Sequence, residues 1–373
     1  MKKIFLLAAA VFMTAGISAQ SYKMVVKTNA GNKTEYTSTD IAKVVFRQLP
    51  TTAKVLQTQG DLVSIVDSVK AANPTITNFD IVLPKKGVYT QSAQINANVP
   101  ISIAADSTAA ITFTADAGIL ASDGVTLKNL VIDASKSAVA LITMNGTPST
   151  AAVSNYYMID EPVTLDNVLV KGLQGAIYND NGVKYALGNF TINNCVIQLN
   201  TAVSGVTFGK SGFIADLEIS NSTIYNTSAV ADAYIIQYQG RPKDLDANMT
   251  QTVAISNSTL YNLAYGKQTG NFKQYGQATN IWTLDKNIIV NCGKTGEFVR
   301  RLVGSNLGKS VVTFNMNTYW FDGVASNEAT YDKSNTALTT DPGFKDAANG
   351  DFTISGADQK TNKTGDPRWI VTE

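Results

Sequence analysis

An eight-residue pattern recurs along this chain and constrains its fold more than any other feature of the sequence. It reads apolar, any, apolar, any, Asn, any, any, apolar, and its clearest copies follow one another at intervals of 27 to 38 residues. A repeat of variable length near roughly 30 residues is typical of a solenoid, in which each turn of the chain stacks on the previous one. The clearest copies are VTLKNLVI (125–132), VTLDNVLV (163–170), FTINNCVI (190–197), LEISNSTI (217–224) and VAISNSTL (253–260), and looser copies lie at 282–289, 312–319 and 352–356.

Each copy predicts a strand, a corner and a second strand. The alternation before the asparagine has a period of two, as in a strand with one buried face. Asparagine tolerates the left-handed backbone region better than most residues with a side chain, so it favours a bend. In a stack, the side-chain amides can hydrogen-bond from one turn to the next. The sequence therefore predicts an all-β fold, a parallel β-helix, with structural corners at Asn129, Asn167, Asn194, Asn221 and Asn257.

Two other β architectures fit the pattern less well. A propeller predicts regular blades of about 40–45 residues with their own signature. A β-sandwich predicts evenly spaced strands without a recurring asparagine corner.

The segments outside the repeat predict several further parts. Lys2 and Lys3 precede an apolar run that ends in small residues, which indicates a signal peptide and export. Alternating residues around NAGN indicate a hairpin, and apolar residues at helical spacing between Asp61 and Pro74 indicate a helix that caps the first coil. The predicted divisions are a signal peptide (1–19), a small β module (21–48), a linker (49–59), the β-helix (60–356) with its capping helix (61–73), and a tail (357–373).

The composition excludes several kinds of chemistry and partner. The chain has no histidine, which excludes a histidine base, a Ser–His–Asp triad and the usual zinc sites. Without Lys2 and Lys3 it has 28 basic and 29 acidic residues, so we expect no nucleic-acid partner. The apolar run after Lys3 is shorter than the roughly 20 residues that span a bilayer, so we expect no integral membrane protein. Cys195 and Cys292 lie in apolar strand patterns, which favours buried thiols over a disulfide and leaves their redox state open.

The asparagine corners, the helix before the first coil and the variable turns resemble the right-handed parallel β-helices of the pectate-lyase-like superfamily. The stretch DPGFKDAANGDFTISG (341–356) is similar to the closing coil of those proteins. GDPRW (365–369) and the stretch MVVKTNAG…DIAKVVF (24–46) resemble uncharacterised secreted proteins of polysaccharide-degrading Gram-negative bacteria. The resemblance covers nearly all of the chain after residue 19 and implies a right-handed parallel β-helix. It implies work on polysaccharides less specifically, because members include lyases, esterases and hydrolases, and others only bind or build surfaces.

The known chemistries of that superfamily can be compared with this sequence. Its polygalacturonase-like hydrolases need adjacent aspartates and a His-Gly pair, and its pectin methylesterases need an aspartate in an Asp-Phe-Ile-Phe-Gly context; this chain has none of these. A lyase needs cations for the uronate carboxylate and a base for the adjacent proton, which Arg and Lys can supply. GRPKDLD (240–246) resembles the lyase motif but lacks its second arginine. Arg241 and Lys243 are therefore the candidate catalytic residues.

One further strand is expected between consecutive corners. Stacked in chain order, these strands would present tyrosines and cations, which suit sugar rings and carboxylates by stacking and bidentate pairing. Exposed strand ends of any solenoid carry such residues as well. The predicted substrate-binding residues are Tyr178, Asp180, Lys210, Tyr238, Lys273, Tyr275, Arg300 and Arg301.

One carboxylate pair raises the question of a metal. Asp160 and Glu161 could hold calcium together with backbone carbonyls, but they precede Pro162 in a loop, where acidic residues are ordinary turn formers. We predict no defined metal site and leave calcium open as a cofactor.

Three functions remain open from the sequence. The first is a monomeric β-helix protein of the periplasm, cell surface or exterior that binds polysaccharide or oligosaccharide along one face during glycan utilisation. The second is a lyase that cleaves a uronic-acid polymer by Arg- or Lys-assisted β-elimination. The third is a structural surface protein. The missing second arginine and the lack of a convergent acid cluster favour binding over catalysis.

Overall fold

The structure is a computed structural model that describes twelve stretches of the chain: residues 23–27, 33–37, 51–145, 152–202, 205–228, 234–240, 242–246, 248–265, 270–272, 279–293, 311–326 and 331–371. Residues 1–48 and 49–373 form two compact units. In the first unit, Lys23–Lys27 and Lys33–Thr37 pair as the antiparallel hairpin that the NAGN turn indicates. No helix among these stretches is both long enough and apolar enough to cross a bilayer.

The described chain consists mostly of β-strands, of which β1 and β2 belong to the first unit and the others to the second. In chain order the described strands are β1 (Lys23–Lys27), β2 (Lys33–Thr37), β3 (Thr51–Lys54), β4 (Gln59–Asp61), β5 (Phe79–Leu83), β6 (Val88–Gln91), β7 (Gln94–Ala97), β8 (Ile101–Phe113), β9 (Gly118–Ala121), β10 (Val125–Asp133), β11 (Ile142–Met144), β12 (Ala152–Val153), β13 (Tyr156–Ile159), β14 (Val163–Leu173), β15 (Tyr178–Asn179) and β16 (Tyr185–Asn193). They continue as β17 (Val196–Leu199), β18 (Thr207–Phe208), β19 (Phe213–Ser220), β20 (Thr223–Asn226), β21 (Ile236–Tyr238), β22 (Thr250–Ser256), β23 (Thr259–Tyr261), β24 (Gly270–Phe272), β25 (Thr279–Asp285), β26 (Ile288–Val290), β27 (Val311–Asn315), β28 (Thr318–Phe321), β29 (Val324–Ala325), β30 (Phe344–Asp346) and β31 (Asp351–Ile354). The helices are α1 (Leu62–Ala72) and α2 (Ala357–Asn362), with single 3₁₀ turns at Pro242–Asp244, Ala347–Asn349 and Pro367–Trp369.

Most strands belong to three parallel ladders, and the chain adds to each ladder in turn. The first ladder runs β3, β5, β8, β10, β14, β16, β19, β22, β25, β27. The second contains β4 and β6, the later halves of β8, β10 and β14, and then β17, β20, β23, β26 and β28. The third runs β7, β9, β11, β15, β18, β21, β24. This large parallel arrangement is compatible with the predicted β-helix.

Left-handed residues mark the corner between the first and second ladders. The five asparagines of the repeat have φ between 45° and 57°, the conformation that the pattern predicts. In the looser copies at 282–289 and 312–319 the corner falls on Lys286 and Met316, with φ of 54° and 49°. A left-handed lysine or methionine costs more than an asparagine. The corner is therefore imposed by the stacking of the turns and not by its own residue alone.

Inward side chains of the first ladder stack in register and form an apolar core. Alternate residues are buried along each strand, so the period of two in the sequence becomes one inward row. Complete burial of each such side chain contributes about 1.5–3 kcal/mol. One row consists of Leu127, Leu165, Ile192, Ile219, Ile255 and Leu284.

A row of polar side chains, distinct from the three strand ladders, lies inside the corner. Each of its residues directly follows the left-handed residue of its turn. Ser222 Oγ accepts from the backbone amide of Cys195 at 3.0 Å, and Ser258 Oγ accepts from that of Ser222 at 3.2 Å. Asn287 and Asn317 continue the series, because each Oδ1 accepts from the backbone amide of the turn before it at 3.1 Å. All of these groups are buried. The looser copies therefore shift their asparagine from the corner to this inner position.

Helix α1 forms where the sequence predicts it. Asp61 is its N-cap and accepts from the Ser64 amide at 3.3 Å, and the helix ends before Pro74. Leu62 and Val66 are fully buried in the core.

The predicted linker at 49–59 is wrong. Within it, β3 pairs in parallel with β5, and the last residue of the segment, Gln59, begins β4, which pairs with β6. The segment is thus part of the first turn. A terminal strand has one neighbour and little inward burial, so its sequence lacks strong apolar alternation.

The predicted closing coil and tail are also corrected. The strands β30 and β31 pair antiparallel with each other, so the copy at 352–356 is not a turn of the parallel ladders. We call residues 341–371 the C-terminal strap, because they pack on the outer side of the second ladder. Phe352 lies at the centre of an aromatic cluster with Tyr225, Tyr261, Phe344 and Trp369, at ring-centroid distances of 5.0–6.0 Å.

Candidate functional site

The third ladder stacks the predicted extra strands in the expected order, but two of its tyrosines point inward. β15, β18, β21 and β24 pair in parallel, one above the other. Tyr178 is 2% exposed and Tyr238 is 3% exposed, and burial raises the pKa of both phenols. A buried ring cannot stack on a sugar, so the assignment of these two residues to substrate binding is wrong. These two tyrosines occur in the third ladder because their rings fill the core.

Asp180 also has a structural task. Its carboxylate is 1% exposed and accepts four backbone N–H groups, those of Gly182, Lys210, Ser211 and Gly212, at 2.6–2.9 Å. Three of these donors belong to the turn after β18, one coil further along the chain. The carboxylate thus fixes that turn and offers no surface to a ligand, which corrects its predicted role.

Of the remaining predicted residues, the structure describes Lys210 and Lys243. Lys210 is exposed on the turn that Asp180 holds, and Lys243 is half-buried in the 3₁₀ turn Pro242–Asp244. Arg241, Lys273, Tyr275, Arg300 and Arg301 lie outside the described residues.

The described outer side of the first ladder carries the most regular polar surface. We call this side, from β5 to β27, the polar face. One row on it aligns a single outward residue from each strand, half-buried or exposed in every case. Hydroxyls predominate. The row consists of Asp80, Ser102, Thr126, Thr164, Thr191, Glu218, Ala254, Thr283 and Thr313.

A neighbouring row on the polar face is held in place by its own contacts. Lys128 Nζ lies 2.7 Å from Asp166 Oδ2, and Asn193 Nδ2 donates to Asp166 Oδ1 at 3.1 Å. Ser220 Oγ donates to Asn193 Oδ1 at 3.1 Å. Such links reduce the side-chain entropy that a ligand would otherwise have to remove on binding.

A groove of about 220 Å³ lies at the N-terminal end of the polar face. Gly124 lies in its lining without a side chain, and a Cβ there would lie 2.5 Å from Glu161 Cβ and 2.8 Å from the Pro162 carbonyl oxygen. The glycine is therefore what lets the segment before β14 approach the strand so closely. The described residues of the lining are Asn78, Asp80, Pro100, Ile101, Ser102, Gly124, Thr126, Glu161 and Pro162.

Asp160 and Glu161, adjacent in sequence, lie in different surroundings. Glu161 lines the groove, whereas Asp160 is exposed. Across the described stretches, no three His, Cys, Asp or Glu residues are grouped so that they could hold a metal ion. Gly124, directly before VTLKNLVI, was the one local indication of a close approach in the sequence. Nothing in the neighbouring residues linked it to Glu161, which lies 37 residues later.

A larger cleft of about 660 Å³ lies between α1 and the segment 53–60. Its one acidic residue, Asp61, already caps the helix and accepts from the Ser92 amide at 3.1 Å. Apolar residues such as Leu56, Ile65 and Val69 supply much of the remaining wall. The wall of the cleft is more apolar than that of the groove.

Two family models match parts of the chain. Residues 87–227 match one described as Domain of unknown function (DUF4957), and residues 253–369 match one described as Domain of unknown function (DUF5123). No curated protein matches the sequence. Both matched segments lie in the second unit, and two of the three strands that line the groove, β8 and β10, start inside the first segment.

Proposed function

We propose that the chain is an exported, monomeric, right-handed parallel β-helix protein that binds a polysaccharide along its polar face. It acts in the periplasm, at the cell surface or outside the cell, and α1 caps its first coil. The observation that carries this proposal is the row of outward hydroxyls that continues across successive strands from Ser102 to Thr191.

The spacing of the row suits a long, repetitive ligand. Parallel strands lie about 4.7–4.9 Å apart, so each turn presents an equivalent set of donors and acceptors at a constant interval. Hydroxyl and amide groups can both donate to and accept from sugar hydroxyls. Solenoids commonly use such extended surfaces for binding. A polymer could thus contact many turns weakly and still bind with useful affinity.

The test is affinity electrophoresis of the protein without residues 1–19 in gels that contain single polysaccharides. Thr164→Arg and Thr191→Arg place bulky side chains on the polar face and should abolish retardation. Thr112→Arg is the matched control, because Thr112 is an exposed strand residue of the second ladder. Retardation that survives both face variants, or that the control removes equally, would contradict binding at this face.

The lyase alternative is tested on the same polysaccharide panel. It depends on Lys243, which is half-buried, and on Arg241. Release of an unsaturated product, followed by ultraviolet absorbance with calcium and with a chelator, would establish it if Arg241→Ala removes the signal. No product together with retardation leaves a binding protein. No product and no retardation would favour a structural surface protein.

A further inference from the structure

We infer that the groove on the polar face binds one uncharged or amino-sugar unit of the polysaccharide and discriminates against uronic-acid units. This inference rests on the proposed function and adds the chemical class of the ligand.

The size of the groove limits what it can hold. Pockets for drug-sized ligands occupy about 300–1,000 Å³, and this groove is smaller, at about 220 Å³. It therefore accommodates a single unit of a chain whose neighbouring units lie along the open face. The direction is set by the row of hydroxyls, since Ser102 and Thr126 belong both to the groove and to that row.

The groove combines apolar and polar walls in the way that a sugar requires. The rings of Pro100 and Pro162 offer apolar surface for the C–H face of a pyranose. Ser102, Thr126 and Asn78 offer hydroxyl and amide groups for its hydroxyls. The backbone beneath is fixed, because the carbonyls of Gly124 and Pro162 each accept a ladder amide at 3.1 Å. The site is thus largely formed before a ligand arrives.

The charge of the groove decides the class of sugar. Asp80 and Glu161 bring two carboxylates to the lining, which contains no basic residue among the described parts of the chain. A uronate would place a third negative charge among these groups. Like charges at such short range repel, whereas the ammonium group of an amino sugar is attracted.

The same acids weigh against the lyase alternative at this position. A β-elimination site must neutralise the uronate carboxylate with cations. The described lining of the groove instead supplies two carboxylates. A lyase active site, if the chain has one, must lie elsewhere on the molecule.

The test compares three soluble polymers: a neutral β-glucan, chitosan and polygalacturonate. The protein without residues 1–19 should be retarded by the first or the second and at least about tenfold less by polygalacturonate. Binding of chitosan should weaken with added salt, because its charge is screened, whereas neutral glucan should be unaffected. The double variant Asp80→Asn, Glu161→Gln should lose chitosan binding severalfold and reduce the discrimination against polygalacturonate.

A matched control removes two acids away from the polar face. Asp67 lies on α1 and Asp106 lies in the exposed middle of β8, so Asp67→Asn, Asp106→Asn changes the net charge equally. An equal effect of this control would overturn the assignment to the groove. Preferred binding of polygalacturonate by the unmodified protein would overturn the inference and leave the proposed function standing. Absence of binding to all three polymers and to the wider panel would overturn the proposed function itself.

Discussion

At the scale of single residues, buried polar side chains hold the turns of this fold, and Asp180 does so with four hydrogen bonds. Asp180→Asn should lower the free energy of unfolding by about 2–4 kcal/mol, because an amide group cannot accept at both positions and leaves amides of the 210–212 turn unsatisfied. Urea unfolding followed by circular dichroism measures the change. The exposed Asp106→Asn should cost little. If Asp180→Asn lowers the free energy of unfolding no more than the control does, the carboxylate does not hold the 210–212 turn.

Substitutions at an asparagine corner can distinguish the contribution of backbone strain from that of the side-chain hydrogen bonds. Asn167 has φ of 55°, donates to Asn129 Oδ1 at 2.8 Å and accepts from Asn194 Nδ2 at 3.2 Å. Asn167→Gly should lose only the side-chain hydrogen bonds. Asn167→Ala should lose them as well and add about 1–2 kcal/mol of backbone strain, because alanine disfavours the left-handed conformation. Thermal unfolding should therefore rank the alanine variant below the glycine variant. Asn189, which is exposed and has no positive φ, provides a control that should show no such difference.

The corner conformation was predictable residue by residue, but the hydrogen bonds were not. A left-handed asparagine follows from local backbone preference. The ladder of amides breaks after Asn194, because Asn221 donates instead to Asn193 Oδ1, and Arg368 takes the Asn194 oxygen at 2.8 Å. Arg368 lies 174 residues away. Likewise, alternation alone could not show which face of the third ladder was buried, so Tyr178 and Tyr238 were misplaced.

At the scale of elements, the C-terminal strap was the least predictable part of the fold. Its sequence contains a strand pattern at 352–356, but the strand pairs antiparallel within the strap. The strap is held by contacts with residues outside it. Trp369 Nε1 donates to Thr223 Oγ1 at 2.7 Å, and Gln359 Nε2 donates to the Thr340 carbonyl oxygen at 3.0 Å. By contrast, α1 was predictable, because its cap and its stop signal lie within its own sequence.

The strap also carries a pH dependence through Asp366. This carboxylate is 1% exposed and accepts from Thr223 Oγ1 at 2.8 Å and from Arg368 Nε at 3.0 Å. Burial raises the pKa of Asp366 above 3.8, and the guanidinium and the hydroxyl offset this only in part. The folded protein therefore binds this proton more tightly than the unfolded chain does. The stability that the group contributes is fully present below pH 3.8 and is lost as pH rises through the raised value.

Asp366→Asn removes this titration and nearly preserves the shape of the side chain. The unfolding free energy of the unmodified protein minus that of the variant should fall as the pH rises from 3.8. Urea titrations at a series of pH values measure it. The opposite trend would mean that the ion pair with Arg368 outweighs the cost of burial. The matched control is Asp358→Asn, which changes an exposed carboxylate of the same strap.

At the scale of the whole molecule, the two segments matched by separate family models share one unit of the fold. The parallel ladders continue from the first segment into the second through the pairing of β19 with β22 and β20 with β23. The strap, from the end of the second segment, returns to Asn194 and Thr223 in the first. We therefore expect the segments to unfold together and not as independent domains.

The two cysteines allow this cooperativity to be measured directly. Cys195 lies in the first matched segment and Cys292 in the second, and both are buried free thiols, as their apolar surroundings predicted. Burial also raises the pKa of the Cys195 thiol to about 12, which suppresses its reactivity while it is folded. In Cys292→Ala and Cys195→Ala variants, labelling of the remaining thiol across a urea series should show one midpoint each. After correction for the stability of each variant by circular dichroism, the two midpoints should coincide. Separate midpoints would mean that the corner and strap contacts do not couple the segments, and that the ladder can open at the β19–β22 junction.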